Sequence, residues 1–241
     1  MKRIVPPMLP EVESIIQSVD ISLHNKFEYN TQIKEWLLPV IDLTDFYVYP
    51  MNGITGCLDY YAGRERRGIF QDPGDYEWIM ETGRDIKYMS CPSSINGNFC
   101  DIPTDVSVVL DIAYVGTTAI KKINLPKNVE KVFYSLSKPF GMQNIRTGWY
   151  FTKRPDSRLH KLIYDAQYYN YFAHQASEAV ISKFPIDYVY DKFKDQQIEI
   201  CKTYDLVPSD SVWLATSDSD DYTDFRRSGE SARLSLCEFY Y

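Results

Sequence analysis

The chain has 241 residues, 44% hydrophobic, 24% charged and 15% aromatic. That is enough apolar material for one large domain, or one with a small appendage, and too much for a disordered segment. A formal net charge of −7 supplies no basic footprint for nucleic acid or an anionic membrane surface; with no apolar run long enough to span a bilayer and no signal-like start, a cytoplasmic, soluble protein is expected.

In chain order, Ile33, Trp36, Leu37 and Val40 recur at helical spacing, so an amphipathic helix over 33–40 is predicted, one apolar face of which needs a partner. Residues 46–49 read as a strand. The glycine-punctuated turn Met51-Asn52-Gly53-Ile54-Thr55-Gly56 then leads into a helix from Cys57. Strands are predicted at 68–70 and 87–90, on either side of a short helical stretch over 76–82. Residues 106–112 form an apolar run ending in an acid, as a central parallel strand would. Further strands follow at 131–134 and 147–152, a long helix over 159–183 and a second over 188–204. The tail reads as a strand at 211–215, an acidic loop over 216–227 and a closing strand at 232–237. Strands separated by helices predict an α/β three-layer domain with a mainly parallel sheet. It divides into an N-terminal arm and helix (1–45), a large domain (46–183) and a short C-terminal α+β subdomain (184–241). The five cysteines (Cys57, Cys91, Cys100, Cys201, Cys237) include no C-x-x-C pair, and with three scattered histidines they argue against a disulfide framework or a metal site. Reduced, mostly buried thiols are expected.

The richest segment is Ser135-Leu136-Ser137-Lys138-Pro139-Phe140, with Arg146 after it and Asp111-Ile112-Ala113-Tyr114 upstream. A lysine on a serine-rich turn beside a guanidinium suits an amine that must react in its free form. An aspartate ending a buried strand suits a protonated ring nitrogen. The turn before residue 57, if it caps a helix, offers backbone amides to a dianion.

In combination these motifs resemble the pyridoxal-phosphate (PLP) enzymes of the aspartate aminotransferase superfamily, fold type I, class I/II, in shortened form. The resemblance implies Lys138 as the Schiff-base lysine and the base that moves the substrate α-proton, Asp111 on the ring nitrogen, and Tyr114 near the cofactor O3′. Ser135, Ser137, Arg146 and the Ile54 and Thr55 turn would hold the phosphate. Tyr76, with Trp78 as the alternative, would lie over the ring. Arg233, in Ser231-Ala232-Arg233-Leu234-Ser235, would bind the substrate carboxylate, and Tyr29 would reach a partner's phosphate. The implied activity is an aminotransferase acting on amino acid and keto acid substrates in a homodimer. Another PLP reaction (decarboxylase, lyase or aldolase) and a reduced, non-catalytic PLP-binding protein are the alternatives. The chain departs from the family pattern in three places. Ser94 stands where an asparagine contacts O3′; 97–106 leaves no room for a crossover helix, so a loop must connect the strands and the sheet is expected to be trimmed or locally uncovered; and the small domain is short. Taken singly, the same residues have ordinary readings: Lys138 as a surface lysine, Asp111 as a strand-end cap, Arg233 as a partner of the acidic loop, and Tyr76 as a core aromatic.

Overall fold

A computed structural model describes residues 6–20, 31–76, 79, 81–226 and 231–240. Six strands, β1 Tyr47–Pro50, β2 Ile69–Gln71, β3 Ile86–Ser90, β4 Ser107–Asp111, β5 Val129–Tyr134 and β6 Trp149–Thr152, form one mixed sheet in the order β1-β6-β5-β4-β3-β2. β2 to β5 pair parallel and β6 runs against both its neighbours, which gives the expected α/β class with a mainly parallel sheet. The helices are α1 Pro10–Gln17, α2 Thr31–Leu37, α3 Gly53–Ala62, α4 Ser157–His160, α5 Tyr171–Ile181 and α6 Tyr188–Thr203. β7 Val207–Pro208, β8 Leu214–Ser217 and β9 Ala232–Ser235 make a second, antiparallel sheet.

Register decides where the chemistry gathers. Pro50 and Tyr134 both lie opposite Trp149, Phe133 opposite Asp111, and Asp111 opposite Ser90. The segments that follow β1, β3, β4 and β5, and the one that leads into β6, therefore all meet at one edge, the carboxyl edge of the parallel strands.

The described residues between β3 and β4, and between β4 and β5, contain no helix. The loop expected over 97–106 is present, but the sheet beneath is not uncovered: Val108, Val109 and Leu110 are at most 1% exposed. Loops do the covering. The Asn128 side-chain amide donates to the carbonyls of Pro103 (2.8 Å) and Val106 (2.5 Å), and buried Ile123 is tied to the Val40 carbonyl through its amide (2.8 Å).

The α2 face likewise finds its partner within the chain. Ile33 and Leu37 are fully buried, and Trp36 donates from Nε1 to the Phe184 carbonyl (2.8 Å) while its ring packs near Tyr134 and Phe140.

Four sequence expectations need correction. The single helix over 159–183 is broken into α4, one wide turn at Lys161–Asp165, and α5. Gln167 takes a left-handed conformation (φ 54°), the Tyr168 amide turns back to the Leu162 carbonyl, and Asn170 starts a new helix by accepting from the Ala173 amide. The described residues of 76–82 are not helical, because the Thr82 amide and hydroxyl turn back to Ile69. The strand expected at 211–215 is β8, three residues later, and the acidic loop contains a 3-10 turn at Asp220–Phe225. α1 has no counterpart among the expected elements.

Candidate active site

Asp111 ends β4 and is 4% exposed. Its Oδ1 accepts from the Ala113 amide (2.8 Å) and its Oδ2 from the Tyr88 hydroxyl (2.5 Å). Burial pushes its pKa up to about 7 despite these two hydrogen bonds; the nearby Asp75 adds to the rise and the Lys138 charge opposes it. This carboxyl is held short of full ionisation by desolvation, the setting in which a protonated nitrogen base is a favourable partner.

Lys138 is half-buried on the turn after β5, with Nζ 5.7 Å from the centre of the buried Tyr114 ring. Its carbonyl accepts from Trp213 Nε1 (2.7 Å), so the approach to β8 fixes the turn's backbone. Beside it, the Ser135 hydroxyl donates to the Thr147 carbonyl (2.8 Å), accepts from the Ser137 amide and contacts the Ser137 hydroxyl (2.7 Å).

On the other side lies the start of α3. Gly53 (φ 74°) makes the sharp entry, and a Cβ on Gly148 would lie 2.6 Å from the Gly53 Cα, so two glycines allow the helix start to touch the strand leading into β6. Arg146 donates from Nη2 to the Asn52 carbonyl (2.7 Å), and its guanidinium lies where a Gly53 Cβ would meet it at 3.1 Å. The arginine itself is left-handed (φ 64°), a strain of roughly 1–3 kcal/mol in a non-glycine residue. A cation held at the positive end of a helix dipole is unfavourable in isolation, and an anion between the two would relieve the repulsion. Ile54 and Thr55 are in the first turn of α3, and the Thr55 hydroxyl meets the Tyr76 hydroxyl at 2.9 Å. The Tyr76 ring in turn lies 5.7 Å from that of Tyr88.

Arg233, on β9, is 8% exposed and donates from Nη1 to the Ser94 carbonyl. The Ser94 hydroxyl is directed at Asp75, bonding its carbonyl and its Oδ1. The structure thus places Asp111, Lys138, Tyr114, Ser135, Ser137, Arg146, Ile54, Thr55 and Tyr76 on one edge of the sheet. Ser94 and Arg233 adjoin them through Asp75. Tyr29 and Trp78 lie outside the described residues.

Sequence reasoning missed Asp75 and Tyr88. Asp75 is 4% exposed, accepts from the Ser90 amide (2.9 Å) and hydroxyl (2.5 Å), and raises the pKa of Asp111. In sequence it reads as one more turn aspartate. Tyr88 reads only as a buried strand residue, and what marks it is its register one strand away from Asp111.

No protein-family model matches this sequence, and no curated protein matches it. Solved structures do. An aromatic aminotransferase from Pyrococcus horikoshii superposes with a TM-score of 0.68 at 13% identity, over 98% of this chain and 90% of that one. An aminotransferase from Staphylococcus aureus gives 0.67 at 13%, over 98% and 88%. A histidinol-phosphate aminotransferase from Sinorhizobium meliloti, in complex with pyridoxal-5'-phosphate, gives 0.61 at 14%, over 95% and 83%. The chain has the aminotransferase fold. In this chain β6 alone runs antiparallel in the six-stranded sheet, and the described residues at the two central crossovers form loops. Among the described residues no group of three or more His, Cys, Asp or Glu side chains could hold a metal ion, and no helix is long and apolar enough to cross a membrane.

Proposed function

We propose that this protein is a PLP-dependent aminotransferase that exchanges an amino group between an amino acid and a keto acid. The observation that carries the reading is Asp111: a desolvated carboxyl at the end of a central strand, with Lys138 near enough to alter its ionisation and the Arg146 and α3 cradle at the same edge. These residues fit the cofactor. Ser135, Ser137, Arg146 and the first-turn amides of α3 would hold its phosphate, Asp111 its ring nitrogen, Tyr76 would cover a face of the ring, and Tyr114 would adjoin its phenolic oxygen.

When bound, the cofactor supplies an electron sink for the bond broken at the substrate's α-carbon. The chain's own residues do the rest. Lys138 would hold the cofactor covalently and, as a free amine, would be the base that takes and returns the substrate α-proton. Asp111 would keep a proton at the cofactor's ring nitrogen. Arg233 recognises the substrate carboxylate by exchanging its bond to the Ser94 carbonyl for a bidentate pair. A cytoplasmic homodimer belongs to the same reading.

Adding PLP, reducing with borohydride and mapping the labelled peptide tests the anchor. The label is expected on Lys138; finding it on Lys121, Lys122 or Lys153 sinks the assignment. A half-reaction with an amine donor separates transamination from other PLP chemistry, because only transamination leaves pyridoxamine phosphate behind.

A further inference from the structure

We propose that Cys91 and Cys100 are a reversible dithiol/disulfide pair, oxidised by exchange with a low-molecular-weight disulfide. Cys91 directly follows β3 and Cys100 lies on the helix-free loop to β4. The Cys91 thiol donates to the Cys100 carbonyl (3.3 Å), and the Cys100 thiol donates to the carbonyl of Ser90, which immediately precedes Cys91 (3.3 Å). Each sulfur therefore rests on the backbone that carries the other. Both residues line an open cleft of about 300 Å³, together with Asp101, Lys121 and Lys122, which gives a small reagent a way in.

The other cysteines contrast with this pair. Cys57, Cys201 and Cys237 are buried, and burial pushes each of their thiols up. Cys100 is the exposed one of the five. Hydrogen bonding from Cys100 holds the Cys91 thiol below its ordinary range, against the opposing effect of burial, and the Lys121 charge acts in the same direction as the hydrogen bond. The same pairing, together with burial, pushes the Cys100 thiol up, so Cys91, which itself lines the cleft, is the thiol suited to meet the external reagent and Cys100 is the one that resolves.

The chemistry balances as two exchanges. The Cys91 thiolate attacks one sulfur of the external disulfide, forming a mixed disulfide and releasing one thiolate, which takes up the proton that Cys91 lost. With Cys91 no longer a thiolate, the Cys100 sulfur loses its proton and attacks the Cys91 sulfur, closing the protein disulfide and releasing the second thiol, which carries the proton from Cys100. The external disulfide is reduced to two thiols and the protein dithiol is oxidised by two electrons. The bond would close the loop over 91–100, whose Ser94 holds Asp75 through its hydroxyl and Arg233 through its carbonyl. Oxidation thus pins the segment that seats the proposed substrate-binding arginine.

The test uses the full chain with glutathione disulfide as the probe, alkylation of remaining thiols, and peptide mapping without reductant. The expected product is the one peptide that carries both Cys91 and Cys100, lighter by two hydrogens that dithiothreitol restores. Cys100→Ser should instead retain glutathione on Cys91. Wild-type protein that keeps glutathione on Cys91 without closing, that links either residue to Cys57, Cys201 or Cys237, or that does not react at all overturns the proposal. The readout is a covalent mass and does not depend on PLP binding.

Discussion

Asp111 is the residue at which the site's energetics and its chemistry meet. An ordinary aspartate titrates near 4, whereas burial pushes this one to about 7. Because the folded value is the higher one, the folded state binds more protons than the unfolded state between those limits. The stabilisation from this group is complete below about pH 4 and is lost as the pH rises through about 7. Without cofactor, wild type should lose roughly 2 kcal/mol from this residue alone between about pH 5.5 and about pH 8. Asp111→Asn should not show that loss, so urea unfolding of the two proteins at both pH values should show the variant gaining on wild type as the pH rises. A constant difference would mean that Asp111 titrates normally. Asp111 was legible in the sequence because an apolar run ending in a single acid is hard to build except as a central strand. Asp75 was not, because its burial depends on Ser90 and Ser94 reaching it from another part of the chain.

At the scale of elements, what matters is how closely two of them approach. The start of α3 touches the strand leading into β6 through Gly53 and Gly148. A Cβ added at Gly148 would meet the Gly53 Cα, N and C within 2.9 Å, all backbone atoms that cannot rotate away. Gly148→Ala should therefore cost about 1–3 kcal/mol by overpacking, and should weaken PLP binding more than Asp111→Asn does, since it parts the Arg146 guanidinium from the helix start. Chemical denaturation and a PLP titration check the two halves of this expectation; unchanged affinity would show that the cradle does not hold the phosphate. Elements with one strong periodic signal, such as α6 and β4, were placed within a residue or two from sequence alone. The break between α4 and α5 was hidden because apolar and aromatic residues continue across it, although Asn170 carried a readable capping signal. α1 also had readable signals, Pro10 at its first turn with Glu11 and Glu13 beside it, but a proline-rich start reads first as extended chain.

For the whole molecule, the two surfaces that the sequence offered as reasons for a partner, the α2 face and the sheet under 97–106, are both covered within the chain. What supports the proposed dimer is elsewhere. Tyr168 (78% exposed) and Phe172 (39%) lie on either side of Asn170, which with Ala173, Asn52, Thr147 and Gly148 lines a small cavity, so exposed rings adjoin the proposed phosphate cradle. Sedimentation velocity should give twice the chain mass, and Tyr168→Asp with Phe172→Asp should shift the protein toward monomer. A wild-type monomer that binds PLP would favour the reduced, non-catalytic alternative.

The helix-free loops that join β3, β4 and β5 also set the order in which the chain can assemble. A parallel strand pair gains nothing until its connection has closed, and a connection with no helix of its own has no local structure to shorten the search. β3, β4 and β5 are joined in that way, while the longer helices α3, α5 and α6 lie before and after them. The centre of the sheet, Asp111 included, should therefore gain amide protection after those helices in a pulse-labelled refolding experiment, and early protection of β4 would contradict this. The residue on which the proposed chemistry depends most is then among the last to be ordered. A newly made chain would then expose an unpaired strand edge at the proposed active site until that moment.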